Sequence, residues 1–178
     1  MQRSELAAAL FRLSHLQGTF TLRSGAVAST YFDKYLFESD PQVLRALGDH
    51  LAAFLPQPAD ALAGLEMGGI PLAVQLGQVT SLPTRFVRKE AKTYGTCRLA
   101  EGGPIEGQHL VVVEDVVTSG GQILASTQAL RQLGATVTHV LAVIDRESGG
   151  RENLAAQGLE LRALFRMSEL EEAGTAGS

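Results

Sequence analysis

The chain has 178 residues, with 15 Lys and Arg against 19 Asp and Glu, for a formal net charge of −4. That length suits one domain with a sizeable core, and the acidic balance argues against a duplex-binding module, whose surface has to be basic. One cysteine, Cys97, excludes an intrachain disulfide, and the histidines His15, His50, His109 and His139 have no structural zinc spacing. No apolar run approaches the ~20 residues of a membrane span, and residues 1–17 lack the layout of a signal peptide. The expectation is a soluble, cytoplasmic protein with neither nucleic acid nor membrane as partner. Against that average, Arg85, Arg88, Lys89, Lys92 and Arg98 fall in one short stretch whose only acid is Glu90.

Leu6, Ala9, Leu10 and Leu13 repeat on one face and predict a helix over residues 4–16. Strand-like segments follow at 20–25 and 29–34, punctuated by Gly25. Asp40-Pro41 starts a second helix, Asp as N-cap and Pro in the first turn, and Val43, Leu44, Leu47, Leu51 and Phe54 extend it toward Pro56. An apolar stretch at 61–65 leads through Glu66-Met67-Gly68-Gly69-Ile70-Pro71 to a helix near 72–79 and a strand at 84–88. Residues 89–107 have no period, four glycines and a proline, and read as a long functional loop.

The run 109–113 reads as a strand covered on both faces, and 121–133 as a helix with Ile123, Leu124, Leu130 and Leu133 inward and Gly134 as its stop. Strands at 137–144 and 159–165 follow, and Ser168-Glu169-Leu170-Glu171 has the form of a capping box opening a terminal helix. Strands alternating with helices predict an α/β fold, a mostly parallel central sheet flanked by helices on both faces.

The chemistry concentrates in Val111-Val112-Val113-Glu114-Asp115-Val116-Val117-Thr118-Ser119-Gly120-Gly121-Gln122. An apolar strand delivers two carboxylates at its C-terminal end, and a hydroxyl- and glycine-bearing turn opens the next helix. Ligands of open α/β sheets bind there, and the amides of such a turn cradle anions. Acids beside a phosphate cradle are reconciled by a sugar phosphate: the carboxylates accept from ribose hydroxyls while the amides hold the 5′-phosphate. The stretch matches neither the nucleotide P-loop nor the Rossmann glycine fingerprint.

This run resembles the phosphoribosyl-diphosphate signature of type I phosphoribosyltransferases. Phe86-Val87-Arg88-Lys89-Glu90-Ala91-Lys92-Thr93-Tyr94-Gly95 is similar to the mobile catalytic loop of the orotate phosphoribosyltransferases. Phe20-Thr21-Leu22-Arg23-Ser24-Gly25 with Tyr31-Phe32-Asp33 is similar to that family's orotate-contacting segment, and Gly69-Ile70-Pro71-Leu72-Ala73 and Ile144-Asp145-Arg146-Glu147 match in kind and order. The resemblance implies a single domain over 1–178, with a small hood-like, base-contacting segment at 1–35 and a mobile loop at 89–107. It also implies transfer of ribose 5-phosphate from phosphoribosyl diphosphate to orotate with release of pyrophosphate, in de novo pyrimidine biosynthesis, with Mg2+ as cofactor.

Lys92, Arg88 and Asp115 take the catalytic roles, Lys92 as the principal cation. Phosphoribosyl diphosphate is assigned to Arg88, Lys89, Lys92, Tyr94, Glu114, Asp115, Val116, Val117, Thr118, Ser119, Gly120, Gly121 and Gln122. Orotate is assigned to Arg23, Tyr31, Phe32, Thr118 and Arg146; Arg146 suits the carboxylate because guanidinium grips it bidentately. No residue is assigned as a direct metal ligand: Mg2+ travels with the diphosphate, with Glu114 or Asp115 as the protein oxygens near it. In this family loop residues reach the neighbouring subunit's site, which implies a homodimer. Two positions depart from the pattern: Gly68 and Tyr94 stand where many relatives carry Lys and His. A purine acceptor, or a non-catalytic nucleotide-sensing regulator of the same fold, are the alternatives.

Overall fold

The computed structural model describes residues 1–21, 25–90 and 99–175. Helix α1 (Arg3–Ser14) buries Leu6, Ala7, Ala9 and Leu10 and passes directly into β1 (His15–Thr21), which pairs antiparallel with β2 (Val27–Phe32) in a two-stranded sheet of their own. A five-residue helix α2 (Lys34–Glu38) follows, capped by Asp33, whose Oδ1 accepts the Tyr35 N–H at 3.1 Å. Helix α3 (Pro41–Ala52) starts as Asp40-Pro41 requires, with Asp40 Oδ1 accepting the N–H groups of Gln42 and Val43 at 2.9 and 3.1 Å.

The remainder builds the main sheet: β3 (Ala61–Leu65), α4 (Gly69–Thr80), β4 (Thr84–Val87), β5 (Ala100–Glu101), β6 (His109–Val117), α5 (Gly121–Gln132), β7 (Thr136–Asp145), α6 (Gly150–Ala155), β8 (Glu160–Arg166) and α7 (Met167–Thr175). The strand order is β5-β4-β3-β6-β7-β8, and only the β4–β5 pair is antiparallel. Strand alternation divides the core. Val111 and Val113 face α1, α3, α4 and α7, whereas Leu110 and Val112 face α5 and α6. Burial on both faces is why the β6 sequence is continuously apolar.

From β3 the chain goes outward to β4 and β5, then returns to lay β6, β7 and β8 on the other side. The change of direction lies between β3 and β6, and the C-terminal ends of these two strands frame the crevice where such sheets take ligands. The turn after β3 can approach β6 because it lacks side chains: a Cβ on Gly69 would lie 2.2 Å from the Val113 carbonyl oxygen.

The structure alters several local expectations. Strand β6 does not stop at Val113, because its ladder to β7 continues to Val116↔Ile144 and Val117↔Asp145. Glu114 and Asp115 are therefore strand residues. Leu133 faces outward, 49 % exposed, as the C-cap of α5. Ser168 is not the cap of α7; its N–H donates to Glu147 Oε2 at 3.0 Å, and Glu169 reaches back instead to the Arg166 N–H at 2.7 Å. The segment 89–107 contains β5, joined to β4 through Phe86↔Glu101, Val87↔Ala100 and the Arg88 N–H to the Leu99 carbonyl at 2.9 Å.

Candidate active site

A cleft of about 400 Å³ opens at the ends of β3 and β6. One wall is Glu114, Val116 and Val117 followed by the turn 118–122, and the other is Glu66 and Met67, with Lys34, Tyr35 and Lys89 at the edge. Gly120 takes φ +78° as the N-cap of α5, a conformation only glycine adopts without strain, so the turn presents backbone amides toward the cleft. Helix α6 braces it from behind. Asn153 Nδ2 donates to the Ser119 carbonyl at 3.0 Å, and a Cβ on Gly150 would lie 2.3 Å from the Thr118 carbonyl oxygen. Sequence reasoning missed both residues; the one available signal was a Gly-Gly pair following the Asp145 strand end.

Beneath the cleft three carboxyls and one amine meet. Asp115 is fully buried, its Oδ2 2.5 Å from Lys34 Nζ, and its Oδ1 accepts the Val116 N–H at 2.5 Å. Lys34 and Glu38 stand one turn apart on α2, so both side chains reach the same acid. Burial, then the neighbouring Asp115, pushes the Glu38 pKa up to about 9. The same causes raise Glu114 well above the carboxylate range. Burial also works against an Asp115 charge, but hydrogen bonds from Glu114, Lys34 and Glu38 outweigh it and hold that group below its ordinary value. Burial opposes the Lys34 ammonium as well, and the contact with Asp115 overcomes it and raises its pKa.

The cluster thus pairs Lys34 with Asp115, and Glu38, its pKa at about 9, keeps its proton at neutral pH, while burial pushes Glu114 in the same direction. Glu38 Oε1 is buried without a hydrogen-bond donor, which a proton on that carboxyl remedies by letting Glu38 donate to Asp115. The wall is therefore far less negative than its three carboxyls suggest, and a polyanion can sit against it.

The basic stretch divides by strand alternation. Arg85 is 4 % exposed and belongs to the fold: it donates to the carbonyls of Pro104 at 2.9 Å and Gly102 at 3.1 Å and to Gln108 Oε1 at 3.0 Å. Lys89 lines the cleft, fixed by its N–H donating to Glu66 Oε1 at 2.6 Å. Arg88 is half-buried beside it, with Nε lacking a partner among the described residues. Arg23, Lys92, Tyr94 and Cys97 lie outside the described residues.

On the base side, Tyr31 is exposed and stacks on Phe20 with ring centroids 5.5 Å apart, whereas Phe32 packs into the core against Phe37. Neighbours on a strand point to opposite faces, so the two rings do not share a face. Arg146 follows β7 and is exposed, its N–H donating to the Val117 carbonyl at 2.9 Å beside the phosphate turn. Its neighbours are structural: Asp145 pairs with Arg151 at 3.2 Å, and Glu147 accepts from the Ser168 N–H.

The comparisons fit this geometry. The family model described as a phosphoribosyl transferase domain matches residues 41–157. An orotate phosphoribosyltransferase of Nocardioides sp. is 46 % identical over 173 residues, 97 % of each chain. The chain belongs to the orotate phosphoribosyltransferases. Within that family, the crystal structure of the Aeropyrum pernix orotate phosphoribosyltransferase has a TM-score of 0.83 and 34 % identity, covering 97 % of this chain and 99 % of its own. A Mycobacterium tuberculosis orotate phosphoribosyltransferase solved with 5-phospho-α-D-ribosyl 1-diphosphate has a TM-score of 0.82 and 28 % identity over 95 % of this chain and 98 % of its own.

For a phosphoribosyltransferase, the departure at Gly68 acquires a physical reason. A Cβ there would fall 1.6 Å from Asp115 Oδ2 and 2.7 Å from Glu38 Oε1, so the buried cluster occupies the space that a side chain would need. The four histidines serve the scaffold or the surface. His15 stacks on Phe11, His50 Nε2 lies 3.1 Å from the Met1 carbonyl, His109 pairs with Asp60 and His139 with Glu160. Among the described residues no three His, Cys, Asp or Glu side chains converge as metal ligands.

Proposed function

We infer that the chain transfers the 5-phosphoribosyl group of phosphoribosyl diphosphate to orotate, yielding orotidine 5′-phosphate and pyrophosphate for pyrimidine biosynthesis. The observation that carries this reading is the cleft at the β3/β6 switch point, where a buried acid cluster adjoins the amide turn 118–122. The similarity to orotate phosphoribosyltransferases over almost the whole chain supports the acceptor.

Breaking the anomeric C–O bond spreads positive charge over the ribose ring and negative charge over the departing diphosphate, and preorganised charges stabilise both. In this reading the turn amides of Thr118, Ser119, Gly120, Gly121 and Gln122 hold the 5′-phosphate. Glu114 and Asp115 accept from ribose hydroxyls. Arg88, Lys89 and Lys92, with the Tyr94 hydroxyl, take the diphosphate, Lys92 acting as the principal cation. Arg146 and Arg23 oppose the orotate carboxylate, with Tyr31 against the ring. A magnesium ion bound with the diphosphate would supply neutralisation of leaving-group charge. Carboxylates are the donors a hard cation takes, and Glu114 at the cleft wall and Asp115 beneath it fit that need.

The protein acts as a single-domain cytoplasmic enzyme and as a homodimer, with the loop carrying Lys92 serving the neighbouring site; among the described residues no helix is long and apolar enough to cross a membrane. Loss of orotate absorbance with phosphoribosyl diphosphate and magnesium, run beside adenine, hypoxanthine and uracil, tests the acceptor. Turnover of a purine with orotate untouched would overturn it. Mixing inactive Lys92→Ala and Asp115→Ala chains tests the shared site: activity returns if the loop crosses to the partner and stays absent if it does not.

A further inference from the structure

We propose that Lys34, projected from α2, is a substrate-binding residue that contacts the diphosphate of phosphoribosyl diphosphate, with Asp115 as its partner when no ligand is bound; this rests on the phosphoribosyl-transfer reading above.

Four observations converge on Lys34. It lines the cleft, with its side chain one-third exposed, while its ion-pair partner Asp115 is wholly buried beneath. The amine therefore lies between the acid and the open space. The opposing turn after β3 offers backbone but no cation, since residue 68 is glycine and the place of a Cβ is filled by Asp115 and Glu38. The cleft needs cationic side chains to hold a polyanion, and among its described lining residues these are Lys34 and Lys89 alone. Finally, α2 is anchored rather than loosely attached: Asp33 caps it, Phe37 is fully buried and Glu38 is 8 % exposed, so the origin of the Lys34 stem is fixed.

A lysine stem of four carbons carries three donors and turns without moving its helix. When ribose hydroxyls donate to Asp115, that acid no longer depends on Lys34 alone. The ammonium then divides its donors between Asp115 and the diphosphate oxygens. Its charge stays compensated before, during and after the reaction, because a carboxylate awaits it when pyrophosphate leaves. Glu38, the next residue on the same face of α2, keeps Asp115 oriented toward this exchange and is a positioning residue.

The test compares the wild-type chain with Lys34→Gln and Lys34→Arg. Lys34→Gln should raise both the KM for phosphoribosyl diphosphate and the inhibition constant of pyrophosphate about tenfold or more, the loss of one charge-assisted hydrogen bond. The KM for orotate should change little, and Lys34→Arg should recover most of the loss. Unchanged diphosphate KM and pyrophosphate inhibition in a folded Lys34→Gln would overturn the proposal and leave Lys34 as a structural partner of Asp115. Because that variant strips a buried acid of its counter-charge, the wild-type chain is also footprinted by reductive methylation and mass spectrometry. Pyrophosphate should slow modification of Lys34, and no protection at saturating pyrophosphate overturns the proposal as well. A wild-type chain that consumes no orotate fails the functional reading, whereas orotate turnover with an indifferent Lys34 fails this inference alone.

Discussion

Replacing Glu38 by Gln should change how stability depends on pH more than it changes stability at any one pH. Glu38 is 8 % exposed, and burial beside Asp115 moves its pKa from 4.5 to about 9. Between those values the native chain retains a proton that the unfolded chain has released. The stabilisation from this group is therefore complete below about pH 4.5 and is lost progressively as pH rises toward 9. One proton corresponds to a slope of at most about 1.4 kcal/mol per pH unit, so the ceiling from pH 6 to pH 8 is ~2.7 kcal/mol. Glu114 is raised for the same reasons and shares the effect, which keeps the Glu38 portion below that ceiling. Glutamine keeps the shape, offers Asp115 an N–H in place of the acid proton, and does not titrate. Urea unfolding at pH 6, 7 and 8 should show the variant gaining on wild type with each step. Two parallel lines would refute a protonated Glu38 in the native state.

Three further outcomes follow from the same geometry. Arg85→Met leaves the Pro104 and Gly102 carbonyls and the Gln108 side chain without their donor and should cost about 3 kcal/mol by denaturant unfolding, with the KM for phosphoribosyl diphosphate unchanged in the folded fraction. Gly68→Ala places a methyl 1.6 Å from Asp115 Oδ2, an overpacking worth ~1–3 kcal/mol, and should lower kcat/KM by displacing that acid. Arg146→Ala removes the cation proposed for the orotate carboxylate and should raise the KM for orotate about tenfold to a hundredfold while sparing that for phosphoribosyl diphosphate.

How much of this was legible in the sequence depended on whether local pattern or side-chain direction decided. The β6 acids and the turn 118–122 were visible because three valines, two carboxylates and a glycine pair follow one another with no intervening structure. Helices α2 and α6 were missed because five and six residues are too short to display a period. With α2 went Lys34 and Glu38, which meet Asp115 only through the fold. Arg85 was counted in one basic stretch with the loop cations because charge was summed along the chain, whereas a strand sends Arg85 inward and Phe86 outward. Tyr31 and Phe32 were likewise read along the chain as one segment, whereas their side chains leave opposite faces of β2. The weakened acidities were beyond reach, since they arise from burial of groups 76 residues apart, as in Glu38 and Glu114.

The missing side chain at Gly68 also restricts the routes by which this site can vary. Asp115, Glu38 and residue 68 share one small volume, and Lys34 is tied to the same acid. A chain that exchanged Gly68 for a lysine would have to vacate the Glu38 position and redirect Asp115 in the same lineage, because each single step meets a collision or an unpaired buried charge. Such substitutions are strongly non-additive. Positions 34, 38 and 68 are therefore physically coupled through Asp115, so a change at one constrains what the others can hold.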